Sequence, residues 1–117
     1  PKTTQEEKAI RSQAIQEATK FAIEIPFAVL ETAYKSMQVI KEMVIKGNPN
    51  SITDAGVGAL CARSAVIGAF MNVRINSVGY NDKNFTADLI ARGTTIQNNA
   101  IALEAEIIKL IDEKIES

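Results

Sequence analysis

The chain has no histidine, no tryptophan and a single cysteine among its 117 residues. Without histidine, catalytic triads and general bases that depend on an imidazole are excluded. With one thiol no intrachain disulfide can form, which is compatible with a reducing compartment, and we expect a cytoplasmic protein. The same shortage of ligands disfavours a structural zinc site. Because no histidine accompanies Cys61, we interpret it as a buried, inert thiol.

Aromatic residues make up 5% of the chain, and there are only three prolines and six glycines. A fold of many short strands and turns needs more of these residues. Hydrophobic residues still reach 46%, which is enough for a core. Alanine and isoleucine take the place of aromatics, and this favours closely packed helices. We therefore predict one all-α domain over residues 1–117.

An excess of charge of one sign is also missing, because 13 Lys and Arg stand against 14 Asp and Glu. Binding to nucleic acid or to an anionic membrane needs a clustered basic face. No apolar run approaches the roughly 20 residues of a membrane span, and no signal peptide is visible. We therefore expect no nucleic-acid partner and no membrane partner.

Two apolar stripes follow one another between residues 4 and 46. Residues 1–4 read as a lead-in, and Thr4 with Glu7 has the form of a capping box. The first stripe comprises Ile10, Ala14, Ala18, Phe21 and Ile25, and the second comprises Phe27, Leu30, Tyr34, Met37 and Val44. Pro26 stops or kinks a helix, and Gly47 is a natural helix end. The segment is predicted as two helices in line or as one long kinked helix.

A polar loop over residues 47–54 precedes a helix that is rich in small side chains. Thr53 and Asp54 are good N-caps for this helix. One face carries the small stripe Gly58, Ala62, Ala65, Ala69 and Asn72. Another face carries the bulkier stripe Val57, Cys61, Ser64, Gly68, Met71, Ile75 and Val78. The small stripe allows a neighbouring helix to approach closely.

The last helix, which we expect Asp82 to cap, carries apolar residues in an alternating four-three spacing. This seam comprises Leu89, Gly93, Ile96, Ala100, Leu103, Ile107 and Leu110, and it is typical of coiled-coil-like bundles. Four such helices form a bundle of long antiparallel helices. They also suit the larger part of a bundle that missing helices or a partner subunit complete. The seam and the small stripe predict self-association into a homodimer.

Three polar side chains stand out in this apolar setting. The loop delivers Asp54 to the start of a helix, and that helix then carries Asn72 and Asn76, four residues apart and hence on one face. Buried polar groups are costly unless they are hydrogen-bonded, and a binding site is one way to satisfy them. We therefore expect Asp54, Asn72 and Asn76 to converge on one cavity between packed helices. The alternatives are a helix cap for Asp54 and a polar bridge between two helices for the asparagines.

Several short matches in one order resemble the cyclodeaminase/cyclohydrolase family. They are Glu7-Lys8-Ala9, Arg11, Ala14, Ala18, Pro26, Gly47-Asn48, Asp54, Asn72-Val73, Ile75-Asn76, and Asp82 with Phe85. The resemblance covers essentially the whole chain, and it implies an all-helical homodimeric domain that binds a reduced folate. The family's Pro-Gly-Gly-Gly-Ser type turn is absent. We therefore interpret the chain as the C-terminal four helices of a larger domain, incomplete at its N-terminus, with a separate N-terminal fragment as a possible partner.

The resemblance implies a tetrahydrofolate derivative as the substrate, with no metal and no further cofactor. A carboxylate can move a proton and stabilise a cationic one-carbon centre, and Asp54 is the candidate catalytic residue. Asn72 and Asn76 are candidates for the pterin edge, Asn48 and Ser51 for loop contacts, and Arg11 for the folate carboxylates. Turn-forming hydrogen bonds for the loop residues and an ion pair with Glu7 for Arg11 are the structural alternatives.

Two classes of function therefore stay open. The first is a folate enzyme that hydrolyses 5,10-methenyltetrahydrofolate to 10-formyltetrahydrofolate, or a cyclodeaminase that releases ammonia from formiminotetrahydrofolate. The second is a non-catalytic helical oligomerisation module, which long amphipathic helices alone would favour. The loop with its aspartate and the pair of asparagines favour the enzyme.

Overall fold

The computed structural model describes residues 4–117, and residues 1–3 of the predicted lead-in lie outside them. Three helices account for most of this part of the chain: α1 (Gln5–Lys46), α2 (Ile52–Ser77) and α3 (Lys83–Glu116), with a 3₁₀ turn at Pro49–Ser51 before α2. The all-α bundle is confirmed, with three long helices rather than four among the described residues, because α1 continues through Pro26.

Side chains define where α1 and α3 begin, as the sequence indicates. Thr4 and Glu7 form the predicted capping box: the Glu7 N–H donates to Thr4 Oγ1 at 3.0 Å and the Thr4 N–H donates to Glu7 Oε1 at 2.8 Å. Asp82 Oδ1 accepts from the Phe85 N–H at 3.1 Å. Each contact satisfies a first-turn donor that has no partner within the helix. The prediction for α2 is wrong: the cap position is Ser51, and Thr53 and Asp54 lie inside the helix.

The helices pack as an antiparallel α1–α2 layer with α3 against one side of it. The second apolar stripe of α1 is confirmed, since Phe27, Leu30, Met37 and Val44 are buried. The α3 seam is also confirmed through the buried positions Leu89, Gly93, Ala100 and Ile107. A larger and a smaller cluster form the core, the first around Phe70 and the second around Val44 and Ile107.

The first apolar stripe of α1 lies outside this core. Ile10 and Phe21 are 65% and 63% exposed, and every residue from 4 to 15 is exposed. The molecule is 72 Å long and 23 Å by 17 Å across, because α1 extends past the end of α2. The expectation that this stripe is buried within the chain is therefore wrong.

Only part of the small stripe of α2 faces inwards, whereas the bulkier stripe faces outwards. Ala62 and Ala69 are buried together with Val66, but Ala65 and Asn72 are exposed, as are Met71 and Ile75 of the bulkier stripe. Cys61 lies on the outer side and is exposed, so the prediction of a buried thiol is wrong. By length and composition alone, Pro49–Ser77 is apolar enough to cross a membrane, with 39% of its most apolar window buried. The expectation that no apolar run approaches the length of a membrane span is therefore wrong for this segment.

The side chain of Gln16 on α1 forms two hydrogen bonds with the turn between α2 and α3. Its amide donates to the Gly79 carbonyl at 3.0 Å, and its side-chain oxygen accepts from the Asn81 N–H at 2.8 Å. Lys83 Nζ adds a bond to the Val78 carbonyl at 3.1 Å, at the C-terminus of α2. One glutamine thus satisfies a donor and an acceptor of a turn more than 60 residues away in the sequence.

Candidate functional site

Two hollows open on the face of the α1–α2 layer that α3 does not cover, and they contain four of the six predicted site residues. The first has a volume of about 440 Å³ and lies where α1 ends and the loop begins. Asn48 and Ser51 line it together with Glu42 and Lys46. The second, also of about 440 Å³, lies between the middle of α1 and the C-terminal half of α2.

In the first hollow, Asn48 shapes the loop. Its Oδ1 accepts from the Asn50 N–H at 2.9 Å, and its carbonyl accepts from the Ser51 N–H at 2.9 Å. This is the turn-forming alternative that the sequence left open. Ser51 stands at the cap position of α2 and makes no side-chain capping bond. Its hydroxyl therefore remains available to a ligand in the hollow.

In the second hollow, Asn76 replaces a hydrogen bond that Pro26 cannot make. Proline has no N–H, so the carbonyl four residues earlier, that of Ala22, loses its helical donor. Asn76 Nδ2 donates to this Ala22 carbonyl at 3.0 Å. An amide from α2 thereby satisfies the orphaned acceptor and explains why α1 is continuous. Asn76 is the polar bridge between helices that the sequence offered as the alternative.

We predict that Asn76→Ala lowers the free energy of unfolding by about 1–2 kcal/mol, because it leaves the Ala22 carbonyl without a donor. In a Pro26→Ala background the residue at 26 has its own N–H, so the same change is expected to have almost no effect. Urea denaturation followed by circular dichroism measures both values. Equal effects of Asn76→Ala in the two backgrounds would contradict this role.

Asn72 lies one turn before Asn76 and lines the same hollow. It is exposed, and within residues 4–117 its carboxamide makes no hydrogen bond with another residue. The two predicted carboxamides therefore differ: Asn76 is engaged by the fold, and Asn72 presents its donors and acceptor to solvent. Of the pair, Asn72 is the one free to contact a ligand.

Asp54 and Arg11 do not meet the asparagines within one chain. Asp54 is exposed in the first turn of α2, where the helix dipole favours a negative charge. Asn72 lies 18 residues further along the same helix, which corresponds to about 27 Å. Arg11 is exposed near the free end of α1, and within residues 4–117 it forms no ion pair with Glu7, whose carboxylate is used in the capping box. The expectation of a single cavity that unites Asp54, Asn72 and Asn76 is wrong for one chain.

An ion pair that the sequence analysis did not predict joins α2 to α3. Arg63 Nη1 lies 2.8 Å from Glu104 Oε2, and the Glu104 side chain is only 11% exposed. A glutamate between the apolar positions of an amphipathic helix is ordinarily expected on the solvated side. The position of Glu104 four residues after Ala100 in the α3 seam is the signal that could have placed it towards the core.

These features define an all-α layer whose uncovered face carries two mostly apolar hollows, each bordered by a few polar side chains. The family model described as formiminotransferase-cyclodeaminase matches residues 1–95. A methenyltetrahydrofolate cyclohydrolase of Methylorubrum extorquens is 34% identical over 98% of this chain and 55% of its own length. Formimidoyltransferase-cyclodeaminases of Sus scrofa and Rattus norvegicus are 29% and 30% identical, over 97% and 91% of this chain and 21% and 19% of their own lengths.

The chain belongs to the formiminotransferase-cyclodeaminase family. It spans about half the length of the bacterial cyclohydrolase and about a fifth of the length of the mammalian proteins. The resemblance drawn from the short matches along the sequence is thereby confirmed.

Proposed function

We propose that the protein acts in folate one-carbon metabolism and hydrolyses 5,10-methenyltetrahydrofolate to 10-formyltetrahydrofolate. The observation that carries this proposal is the 34% identity, over 98% of the chain, to a protein named methenyltetrahydrofolate cyclohydrolase. The mammalian relatives named formimidoyltransferase-cyclodeaminase support the alternative, ring closure of formiminotetrahydrofolate with loss of ammonia. We further propose a cytoplasmic location, and no metal or cofactor besides the folate substrate.

In the proposed hydrolysis, water adds to the methenyl carbon and loses one proton to a base. The hydroxyl then gives up its second proton as the C=O bond forms, the bond from that carbon to N5 breaks, N5 takes up a proton, and the formyl group stays on N10. A general base that accepts the proton of water lowers the barrier. A negative charge beside the amidinium-like carbon favours binding of the cationic substrate. The exposed carboxylate of Asp54 suits both tasks, and Asn48 and Ser51 border the hollow on the same loop.

Asp54→Asn is expected to reduce kcat/KM for methenyltetrahydrofolate by about 100-fold or more, the usual contribution of a general base. The assay follows the decay of the substrate's absorbance above the buffer rate, with circular dichroism to verify the helices. Asp112→Asn, at an exposed position of α3, is the matched control and should leave the rate unchanged. Equal decay with wild type and Asp54→Asn would remove Asp54 from the mechanism.

The exposed apolar face favours the second class of function, a non-catalytic oligomerisation module. The same assay separates the two classes. A module would leave methenyltetrahydrofolate to decay at the buffer rate, whereas release of ammonia from formiminotetrahydrofolate, measured with a coupled assay, would identify the deaminase.

A further inference from the structure

We propose that the first hollow binds the pyrimidine end of the folate's pterin ring, and that Glu42 is the residue that recognises this end. This rests on the proposed function, since it names the part of the folate that the hollow holds. It adds a specificity-determining residue on α1 to the candidates on the loop and on α2. Lys46 is then a positioning residue, which holds the Glu42 carboxylate at the edge of the hollow.

The walls of the first hollow are mostly apolar. On the α1 side they comprise Val39, Glu42, Met43 and Lys46, which have the spacing of one helix face. Ala55 of α2 forms part of the opposite wall. Val39 and Met43 are 60% and 55% exposed, and a flat ring laid between the walls would remove this apolar surface from water. The thioether of Met43 also packs favourably against unsaturated rings. The hollow therefore suits a planar ring whose polar edge meets the side chains at the rim.

The Glu42 carboxylate stands at this rim as a hydrogen-bond acceptor. Lys46 Nζ lies 3.2 Å from Glu42 Oε2, and within residues 4–117 no other donor contacts the carboxylate. The two residues are one helical turn apart, so the ammonium group restricts where the carboxylate lies. Their side chains are 59% and 77% exposed, and an ion pair so exposed adds little to the stability of the fold. Its acceptors remain available to a ligand in the hollow.

The loop adds a donor to the same rim. Asn48 Oδ1 accepts from the Asn50 N–H, and this contact determines which way the carboxamide is turned. The Nδ2 group of Asn48, which borders the hollow, is then left to donate. Gly47 allows the chain to turn this tightly, because a Cβ at this position would collide with the carbonyl of Met43. The rim thus presents an acceptor from α1 and a donor from the loop.

The pyrimidine end of a pterin presents the complementary pattern. Its N3–H and its 2-amino group are adjacent donors, and its 4-oxo group is an acceptor. A carboxylate accepts from two adjacent donors side by side, and each oxygen has room for a second donor, so Glu42 Oε2 keeps its contact with Lys46. Hydrogen bonds to an ionised group are about twice as strong as neutral ones. Glu42 therefore suits the two donors of the ring, and Asn48 Nδ2 suits the oxo group.

A ring held in this way extends from Glu42 toward the candidate base. Ala55, which follows Asp54, packs in one cluster with Val44, so Asp54 and Glu42 lie within about 3 Å of the same level along the bundle. Asp54 also follows Ser51 by three residues and shares its side of the helix. Packed helix axes are about 8–10 Å apart, a gap that a fused two-ring ligand spans. With the pyrimidine end at Glu42, the second ring, which carries N5, lies toward the start of α2.

Charge distinguishes a pterin from guanine, whose ring presents the same two donors and acceptor. Most guanine in cells is attached to phosphorylated sugars, and a phosphate is bound by cations. The cation at this hollow, Lys46, already faces a carboxylate, and Glu42 would repel a phosphate. The ring system of 5,10-methenyltetrahydrofolate is instead a cation, which the carboxylates of Glu42 and Asp54 both attract. The hollow therefore fits the pterin of the proposed substrate better than a nucleotide.

Two ligands and one variant test the role of Glu42 without catalysis, in the natural full-length protein. Tetrahydrofolate carries no one-carbon unit and reports binding alone, and 2-desamino-2-methyltetrahydrofolate lacks the amino group that Glu42 binds. Calorimetric titration in anaerobic buffer is expected to give a Kd for the analogue that is about 10- to 100-fold higher, the usual effect of losing a hydrogen bond to a charged group. In Glu42→Met the two ligands should bind equally weakly, because the carboxylate that distinguishes them is gone.

Two further variants separate recognition by Glu42 from its ion pair. Lys46→Met breaks the same ion pair but leaves the carboxylate, so it should weaken binding less than Glu42→Met does and should keep the preference for tetrahydrofolate. Glu24→Met removes a carboxylate at another exposed position of α1 and should change neither Kd. Circular dichroism verifies the helices of each variant. Equal effects of Glu42→Met and Lys46→Met on both ligands would show that only the ion pair matters, and would overturn the role of Glu42.

The hydrolysis assay separates this role from the proposed function. Because Glu42 holds the end of the ring away from the reacting carbon, Glu42→Met is expected to raise KM for 5,10-methenyltetrahydrofolate and to leave kcat nearly unchanged. Hydrolysis by a protein whose Glu42→Met variant still prefers tetrahydrofolate to the analogue overturns the pterin site and leaves the function. Binding that depends on Glu42, with methenyltetrahydrofolate decaying at the buffer rate, leaves the pterin site and overturns the hydrolase. A protein that binds guanosine in place of tetrahydrofolate, or neither of them, overturns the pterin site.

Discussion

Replacing Phe70 by alanine is expected to lower the free energy of unfolding by about 3–5 kcal/mol, the usual cost of deleting a buried phenylalanine. Phe70 is 2% exposed and lies in the larger core cluster, where α2 meets α1 and α3. Its ring occupies the space that Gly93 leaves on α3, and the Arg74 guanidinium covers it at 4.8 Å from the ring centre. Urea denaturation followed by circular dichroism measures the loss.

Substitutions at Gly93 test whether the Phe70 ring fills the space beside this glycine. A Cβ at position 93 would lie 2.7 Å from Phe70 Cδ1, so Gly93→Ala overpacks the core and is expected to cost about 1–3 kcal/mol. In a Phe70→Leu background the ring edge is gone, and Gly93→Ala should instead stabilise by up to about 1 kcal/mol through its helix propensity.

Gly58→Ala is the matched control, because its new methyl group would meet only Ile40 Cδ1 at 3.5 Å, an ordinary contact. It is expected to stabilise the protein by up to about 1 kcal/mol in either background. Additive effects of Phe70→Leu and Gly93→Ala would show that the two residues do not share the space that the structure assigns to them.

The sequence predicted those helix boundaries that depend on contacts between residues close together in the chain. The capping box at Thr4, the cap at Asp82 and the end at Gly47 each depend on residues within one turn, and each is confirmed. The α3 seam was predictable for a similar reason, since one face is clearly more apolar than the other. Sequence patterns are reliable where the periodic contrast between faces is large.

Pro26 marks the limit of such local rules. A proline in a helical pattern predicts a stop or a kink, and the residues around it contain nothing that argues otherwise. The donor that satisfies the Ala22 carbonyl is Asn76, which lies 54 positions away in the sequence. Only the packing of α2 on α1 reveals this partner, so the sequence left open two helices in line or one long helix, and the structure shows the single helix.

The hydrophobic pattern of α2 could not predict which face of the helix is buried, for a different reason. Both of its stripes are apolar, so burial of either one removes apolar surface from water. The fold buries Ala62 and Ala69 of the small stripe, which lets α1 approach closely, and it exposes Met71 and Ile75 of the bulkier one. The shared cavity for Asp54, Asn72 and Asn76 failed because residues on one straight helix separate by 1.5 Å per position.

Removing Arg63 is expected to lower the free energy of unfolding by about 3 kcal/mol, because it leaves the Glu104 carboxylate without a partner in a nearly buried position. Arg63→Met retains most of the apolar stem, so the effect isolates the charge. The ion pair of Lys41 and Glu106 is shorter, at 2.6 Å, but its side chains are 32% and 49% exposed. Lys41→Met should therefore cost less than about 1 kcal/mol.

The double variant Arg63→Met/Glu104→Leu distinguishes two possibilities. Either the ion pair stabilises the bundle on balance, or its attraction only offsets the cost of burying the two charges. Replacing both partners by apolar residues removes the stranded charge along with the attraction, and such replacements are often neutral. We expect the double variant to recover most of the stability that Arg63→Met loses, measured by the same denaturation. A double variant as unstable as Arg63→Met alone would place the loss in the packing of the arginine stem between α2 and α3, and not in the unpaired carboxylate.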